Sequence, residues 1–208
     1  MTRKRTIGVV LFEDFELLDV FGPLEMFGMA SEHFEIRLIS ETSGVVASRQ
    51  GPKSVIDDQL SEAPALDVLL VPGGTGTRRE VDNPVLLDWL KERSQQAELV
   101  ISVCTGSALL AKAGVLDGVR ATTNKMAFAW AASQSEKVQW QKQARWVEDG
   151  KFFTSSGVSA GIDMALAVIA KLVNEQAAEQ AANFAEYSWQ RDANCDPFAS
   201  VVGMSGSA

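Results

Sequence analysis

The segment LVISVCTGSALLAKAG, residues 99–114, decides the fold. Leu99 to Val103 is a short apolar run, the pattern of a parallel strand buried on both faces. Cys104-Thr105-Gly106-Ser107 is small and polar and makes a turn. Ala108 to Ala113 then begins a helix that Gly114 ends. A strand feeding a helix through small residues lifts the first side chain of the turn into a crevice, the logic of a nucleophile elbow. Here that side chain is the thiol of Cys104. A free cysteine is often simply buried, but its place at the strand end, not within the strand, favours a reactive role. The N-terminus of the following helix adds partial positive charge, which predicts a thiolate near neutral pH.

The same alternation extends outward in both directions. Thr6 to Phe12 reads as a buried strand, followed by helical spacing from Phe15 to Met29 that Gly22-Pro23 should kink or split. His33 to Ser40 alternates like a half-buried strand, and Val45 to Arg49 and Ser54 to Asp57 are weaker strand candidates. Asp67 to Pro72 is another buried strand, running into Gly73-Gly74. Asn83 and Pro84 open a helix that reaches Gln95. Beyond the elbow come a strand at Arg120 to Thr123 and a helix from Met126 to Ser133. A hairpin pairs Arg145 to Val147 with Phe152 to Ser155. Helices follow from Ser159 to Val173 and from Glu175 to Trp189, then a polar tail predicted to fray. Strands alternating with helices imply a mainly parallel sheet covered on both faces. In such sheets the ligand crevice lies beyond the carboxyl ends of the strands. Glu13 to Asp19, Gly73 to Gly76, Cys104 to Ser107 and Ser156 to Ala160 all fall at such ends.

Length and composition bound the function. A chain of 208 residues suits one domain, read as 1–208 with a core at about 6–190. With 27 acidic against 19 basic residues the net charge is −8, which opposes nucleic acid and anionic membrane as partners. The basic start, Met1 to Arg5, is cut short by Glu13, Asp14 and Glu16 and reads as a lead into the first strand, not as a signal peptide. Two cysteines, Cys104 and Cys195, form neither a disulfide framework nor a metal-ligand spacing, so a reducing cytoplasm is expected, with no metal. The single histidine, His33, leaves little for His-dependent catalysis or for zinc.

Other residues at the strand ends carry weaker signals. Gly73 and Gly74 let backbone approach a bound group and offer N–H donors to developing charge, although taken alone they read better as a plain tight turn. Asp19 reads equally as a helix-start charge or as a partly buried carboxyl with a raised pKa, suited to moving a proton. Thr123 and Asn124, with Lys125, are possible pocket-lining residues. Cys195 lies in a polar stretch and carries no role, and the tryptophans read as core or interface.

The run VISVCTGSALLAKAGVLDGVRATT, residues 100–123, closely resembles the core motif of the ThiJ/PfpI superfamily, related to class I glutamine amidotransferases. The flanking segments TIGVVLFEDFELLDVFGPLEMF (6–27), DVLLVPGGTGTR (67–78) and FFTSSGVSAGIDMAL (152–166) resemble it too. The resemblance implies a flavodoxin-like α/β three-layer sandwich, a reactive cysteine matching Cys104, a homodimer and no cofactor. The aspartate in LLDVFGP together with CTGS is similar to the isonitrile hydratase branch. It implies Cys104 as nucleophile, Asp19 as acid, and Gly74 and Thr105 as groups orienting a small-molecule substrate. Peptidase-type members carry histidine directly after the cysteine, where this chain has Thr105. Many relatives read ATTHW where this chain reads ATTNK, so Asn124 stands in place of histidine. Two alternatives remain open at this level. One is a glyoxalase-type or redox-sensing cysteine protein, and the other a non-catalytic binding domain.

Overall fold

The computed structural model of the chain describes residues 3–201. The first half runs β1 (Arg5–Leu11), α1 (Leu17–Met29), β2 (Phe34–Ser40), β3 (Val45–Ala47), β4 (Lys53–Val55), β5 (Asp58–Gln59), β6 (Val68–Val71), α2 (Thr77–Glu80), α3 (Pro84–Gln96) and β7 (Leu99–Val103). The second runs α4 (Gly106–Lys112), β8 (Arg120–Ala121), α5 (Phe128–Ala132), β9 (Gln139–Trp140), β10 (Trp146–Asp149), β11 (Phe152–Ser155), α6 (Ala160–Leu172) and α7 (Glu175–Phe184), ending in a 3-10 turn at Ala199–Val201.

Seven strands form one sheet in the order β10-β11-β7-β6-β1-β2-β5. Every pairing is parallel except β10 with β11 at one edge, which is the predicted hairpin. The central strands show why the apolar runs carried no alternation: every residue of β6 and β7 is buried, so both faces of the sheet are covered. Helices α1, α6 and α7 pack together as one layer, and α4 is the centre of a second with α2, α3 and α5. The expected three-layer α/β sandwich is therefore present. Each fully buried Val, Ile or Leu in this core contributes about 1.5–3 kcal/mol relative to exposure.

Local chemistry sets the helix ends. Asn83 caps α3, its Oδ1 accepting from the N–H groups of Val85 and Leu86 at 3.1 and 3.3 Å, with Pro84 as first residue. Such a cap contributes about 1 kcal/mol. The expected break at Gly22-Pro23 does not occur, since α1 runs continuously with Pro23 inside it. Gly22 faces Ile162 so closely that a Cβ there would lie 2.8 Å from the isoleucine Cγ1. The resulting close approach of α1 to α6 outweighs the local helix-breaking tendency.

A second correction concerns the end of the chain. The last helix stops at Phe184, not Trp189, and Glu186 takes a left-handed φ of 50°. What turns the chain is Asp163 on α6, fully buried, which accepts from Arg145 Nε (2.8 Å), the Tyr187 hydroxyl (3.0 Å) and the Gln190 N–H (2.8 Å). Burial and the Asp163 charge push the Tyr187 hydroxyl up to about 12. The segment after Gln190, expected to fray, is tied down: the Arg145 N–H bonds the Ala193 carbonyl (2.8 Å) and the Asp196 N–H that of Gln143 (2.9 Å). The rest of the expected tail, residues 202–208, lies outside the described residues, as do Met1 and Thr2 of the basic lead. No helix among the described residues is long and apolar enough to cross a membrane.

Candidate active site

The elbow forms because three strand-end segments hold it. Cys104 has φ of +56°, left-handed backbone that costs a residue with a side chain about 1–2 kcal/mol. Its N–H lies between the Ser155 and Ser156 carbonyls, at 3.2 and 3.3 Å, at the end of β11. Its own carbonyl accepts from the Ser107 hydroxyl (3.1 Å) and the Thr123 hydroxyl (2.9 Å). These bonds explain the small residues of the motif. Ser107 supports the turn from behind, and a Cβ on Gly106 would lie 2.1 Å from the Val71 carbonyl oxygen, where no side chain fits. Thr123, read as possible pocket lining, is instead fully buried behind the elbow as a brace for its backbone.

Asp19 reaches the same place from the first turn of α1. The chain before the helix is stitched to the neighbouring loop, with the Glu16 N–H bonding the Gly73 carbonyl at 2.8 Å. One turn on, Asp19 Oδ2 accepts from the Gly73 N–H at 2.9 Å, while Oδ1 has no hydrogen-bond partner among the described residues. The carboxyl has no exposed surface. Burial pushes its pKa well above the ordinary carboxylate range, with the Gly73 N–H and the Cys104 thiol opposing only in part. Of the two readings left open by sequence, the buried carboxyl is the one present.

Cys104 is buried as well, at 6% exposure. Burial raises its pKa well above that of a free thiol, and the Asp19 charge raises it further. The Thr105 backbone N–H and the Asn124 side chain act in the opposite direction by hydrogen bonding to sulfur. The thiolate expected near neutral pH is thus corrected. The partial charge of one short helix cannot offset removal of the sulfur from water next to a carboxyl. Thiol and acid act as a coupled pair. Burial therefore disfavours charge on either group, and a charge on one raises the cost of a charge on the other.

The glycine amides are placed differently from the sequence reading. The Gly73 N–H is committed to Asp19, and the Gly74 N–H bonds Thr105 Oγ1 at 3.1 Å. The Thr105 hydroxyl also lies 3.1 Å from that of Thr77. Gly74 therefore positions Thr105, and the amide turned toward the reacting atom is that of Thr105. Asn124 donates to sulfur through its side chain, while its Oδ1 accepts from the Ala127 N–H at 2.9 Å. Lys125 turns away from the cavity. Its Nζ donates to Thr122 Oγ1 (2.8 Å) and the Ala144 carbonyl (2.6 Å), and burial lowers its pKa to about 8 against the raising effect of Asp196.

Cys104, Gly74, Thr105 and Asn124 open onto a cavity of about 610 Å³, within the range of small-molecule sites. Two further residues shape it that the sequence did not single out. Arg78 lies on its wall, close enough for an electrostatic interaction with Cys104. Gly157 sits where a Cβ would be 2.3 Å from Asn124 Nδ2 and 2.9 Å from Cys104 Sγ, so the lack of a side chain lets both groups meet. His33 precedes β2 at the opposite end of the sheet, with its Nε2 3.1 Å from Glu32. Cys195 is exposed and free. Among the described residues no group of three or more His, Cys, Asp or Glu is arranged to hold a metal ion.

Residues 5–171 match the sequence model of the DJ-1/PfpI family. The chain belongs to that family. It is 34% identical over 173 residues to the isonitrile hydratase of Pseudomonas putida, covering 83% of this chain and 74% of that protein. It is 28% identical to the HTH-type transcriptional regulator GbdR of Pseudomonas aeruginosa, covering 80% of this chain but 46% of the regulator. The crystal structure of a family protein from Pseudomonas syringae superimposes with a TM-score of 0.85 at 27% identity, covering 98% of this chain and 85% of that one. DJ-1/PfpI members thus include both an enzyme and regulators, and the choice between them rests on the site.

Proposed function

We propose that this DJ-1/PfpI protein hydrates an isonitrile to an N-substituted formamide. The observation that carries the reading is the buried Cys104–Asp19 pair, in which burial disfavours charge on both groups, beside a cavity whose lining holds no imidazole. Isonitrile hydration needs a nucleophile and a proton delivered to one carbon, and a thiol beside a carboxyl supplies both. The isonitrile hydratase of Pseudomonas putida, similar over most of its length, supports the choice.

In the first step sulfur bonds to the terminal carbon of R–N≡C as that carbon takes a proton, relayed from the thiol through Asp19. The product is the thioimidate Cys104–S–CH=N–R. Water then adds to the same carbon, its proton passing to Asp19 and on to nitrogen. The tetrahedral adduct expels sulfur, which recovers its proton, and R–NH–CHO leaves. One water is consumed and no electrons are gained or lost. The Thr105 N–H and the Asn124 amide stabilise the sulfur as it gains charge.

The test is to supply an aryl isonitrile and follow formamide by chromatography. Cys104→Ala should abolish turnover, and Asp19→Asn should lower kcat about 10²–10⁴-fold, the usual contribution of a positioned acid–base group. No turnover by the native protein, or turnover unchanged in Cys104→Ala, sinks the reading.

A further inference from the structure

The cavity that holds Cys104 differs in charge from the molecule around it. The chain carries −8 overall. The cavity wall, however, holds two arginines, Arg49 and Arg78, against one carboxylate, Glu16, whose Oε1 is taken by the Gln50 amide. The lining therefore presents two cationic side chains against one anionic one.

Arg78 is built for recognition. Its guanidinium lies 3.4 Å over the ring of Trp130, and its Nη1 donates to Thr77 Oγ1 at 3.2 Å. Stacking fixes the plane of the fork and leaves N–H groups along its edge. Desolvation lowers its pKa, so part of its hydration is already lost. No carboxylate among the described residues comes within 4.0 Å of Arg78 or of Arg49. The contrast with Arg79 is direct: that side chain is engaged by Glu80 at 2.9 Å and lies 3.6 Å from Asp14. In a chain with an excess of acids, two arginines without carboxylate partners beside the nucleophile are a site awaiting an anion.

We infer that the substrate carries a carboxylate on the group attached to its isonitrile nitrogen, held by the planar fork of Arg78, with Arg49 adding charge to the cavity. The inference rests on the hydration reading for the isonitrile end of the molecule, while the anion subsite stands on the arginines alone. A bidentate pair at Arg78 orients the substrate so that its terminal carbon meets Cys104.

Two measurements test this. The first compares 4-isocyanobenzoate with its neutral methyl ester as substrates. In the native protein kcat/KM should favour the acid, and in Arg78→Gln the acid-to-ester ratio should fall on the order of tenfold to a hundredfold, as expected for charge-assisted hydrogen bonds. Arg78→Lys should recover only part of it, because the ammonium cannot present a fork. Arg79→Gln should leave the ratio as it is. A ratio near one in the native protein, or one that falls equally in Arg79→Gln, overturns the inference. The second measurement needs no turnover. Benzoate should slow alkylation of Cys104 by iodoacetamide in the native protein and fail to do so in Arg78→Gln. Absence of protection overturns the subsite even if aryl isonitriles are hydrated. Protection without hydration of either isonitrile keeps the subsite and removes the hydration reading.

Discussion

Asp19 is a residue whose chemistry and stability pull in opposite directions. Its carboxyl is fully buried with one oxygen unpartnered, a costly arrangement that persists where function requires it. Because burial raises its native pKa above the unfolded value, the linkage has a definite sign. Below the ordinary carboxylate range the group is protonated in both states and costs nothing by ionisation. As pH climbs from there toward the native pKa, the unfolded chain releases its proton while the native chain holds it, so stability falls with pH. Above the native pKa the full penalty remains. An asparagine side chain in its place would keep the Gly73 hydrogen bond and never ionise. Asp19→Asn should therefore match the native protein in stability near pH 3 and exceed it increasingly toward pH 7. Each kcal/mol gained appears as about 2–4 °C in Tm for a domain of this size. Thermal unfolding at several pH values measures this. A gain that does not vary with pH, or a loss at pH 7, contradicts the burial account.

Among elements, the sequence was most legible where local and tertiary preferences agree. The buried strands β1, β6 and β7 and the capped helix α3 stand close to their expected ranges, since apolar runs and an Asn-Pro start are local signals. The site was legible to the same degree: Cys104 and Asp19 sit on strand-end segments that periodicity locates. Arg78 was not, because α2 spans only Thr77–Glu80, too short for any period to show. Nor was the end of α7, where a distant acid decides. Asp163 draws Arg145, Tyr187 and Gln190 to itself, and Arg145 Nη1 also lies 4.0 Å from the buried Asp196. Sequence spacing carries no trace of such a network. It does carry a consequence: removing Arg145 takes the cation from the buried Asp163, while Asp196 keeps Lys125 at 3.9 Å, and breaking a buried pair this way costs about 3–5 kcal/mol. Arg145→Met should lower Tm by roughly 10 °C on the scale of a domain this size. It should also make the chain near Ala193 more sensitive to protease. Scanning calorimetry and limited proteolysis check this, and an unchanged Tm would mean that the network contributes nothing to stability.

At the scale of the whole molecule, one sheet does two jobs. Its parallel strands send β6, β7 and β11 toward the same edge, so the loops that follow them meet around Cys104, and the helix after β1 brings Asp19 to them. The strands that carry the site are also the most deeply packed part of the protein, with every residue of β6 and β7 buried. The opposite edge is thin: β5 has two residues, and the separate β3–β4 hairpin exposes Val45 and Val55. Local opening can free that hairpin with little loss of core, whereas the centre of the sheet opens only with the whole fold. Amide hydrogen exchange should therefore be slowest in β6 and β7, at the limit set by global unfolding, and much faster in β3 and β4. The link to Asp19 makes the expectation sharper. If the central strands report global stability, Asp19→Asn should slow their exchange at pH 7 by the factor that its Tm gain implies, and leave the hairpin rate unchanged. Equal slowing in both regions would place the carboxyl's cost outside the global unfolding of this sheet. Central strands exchanging as fast as the hairpin would refute the partition itself.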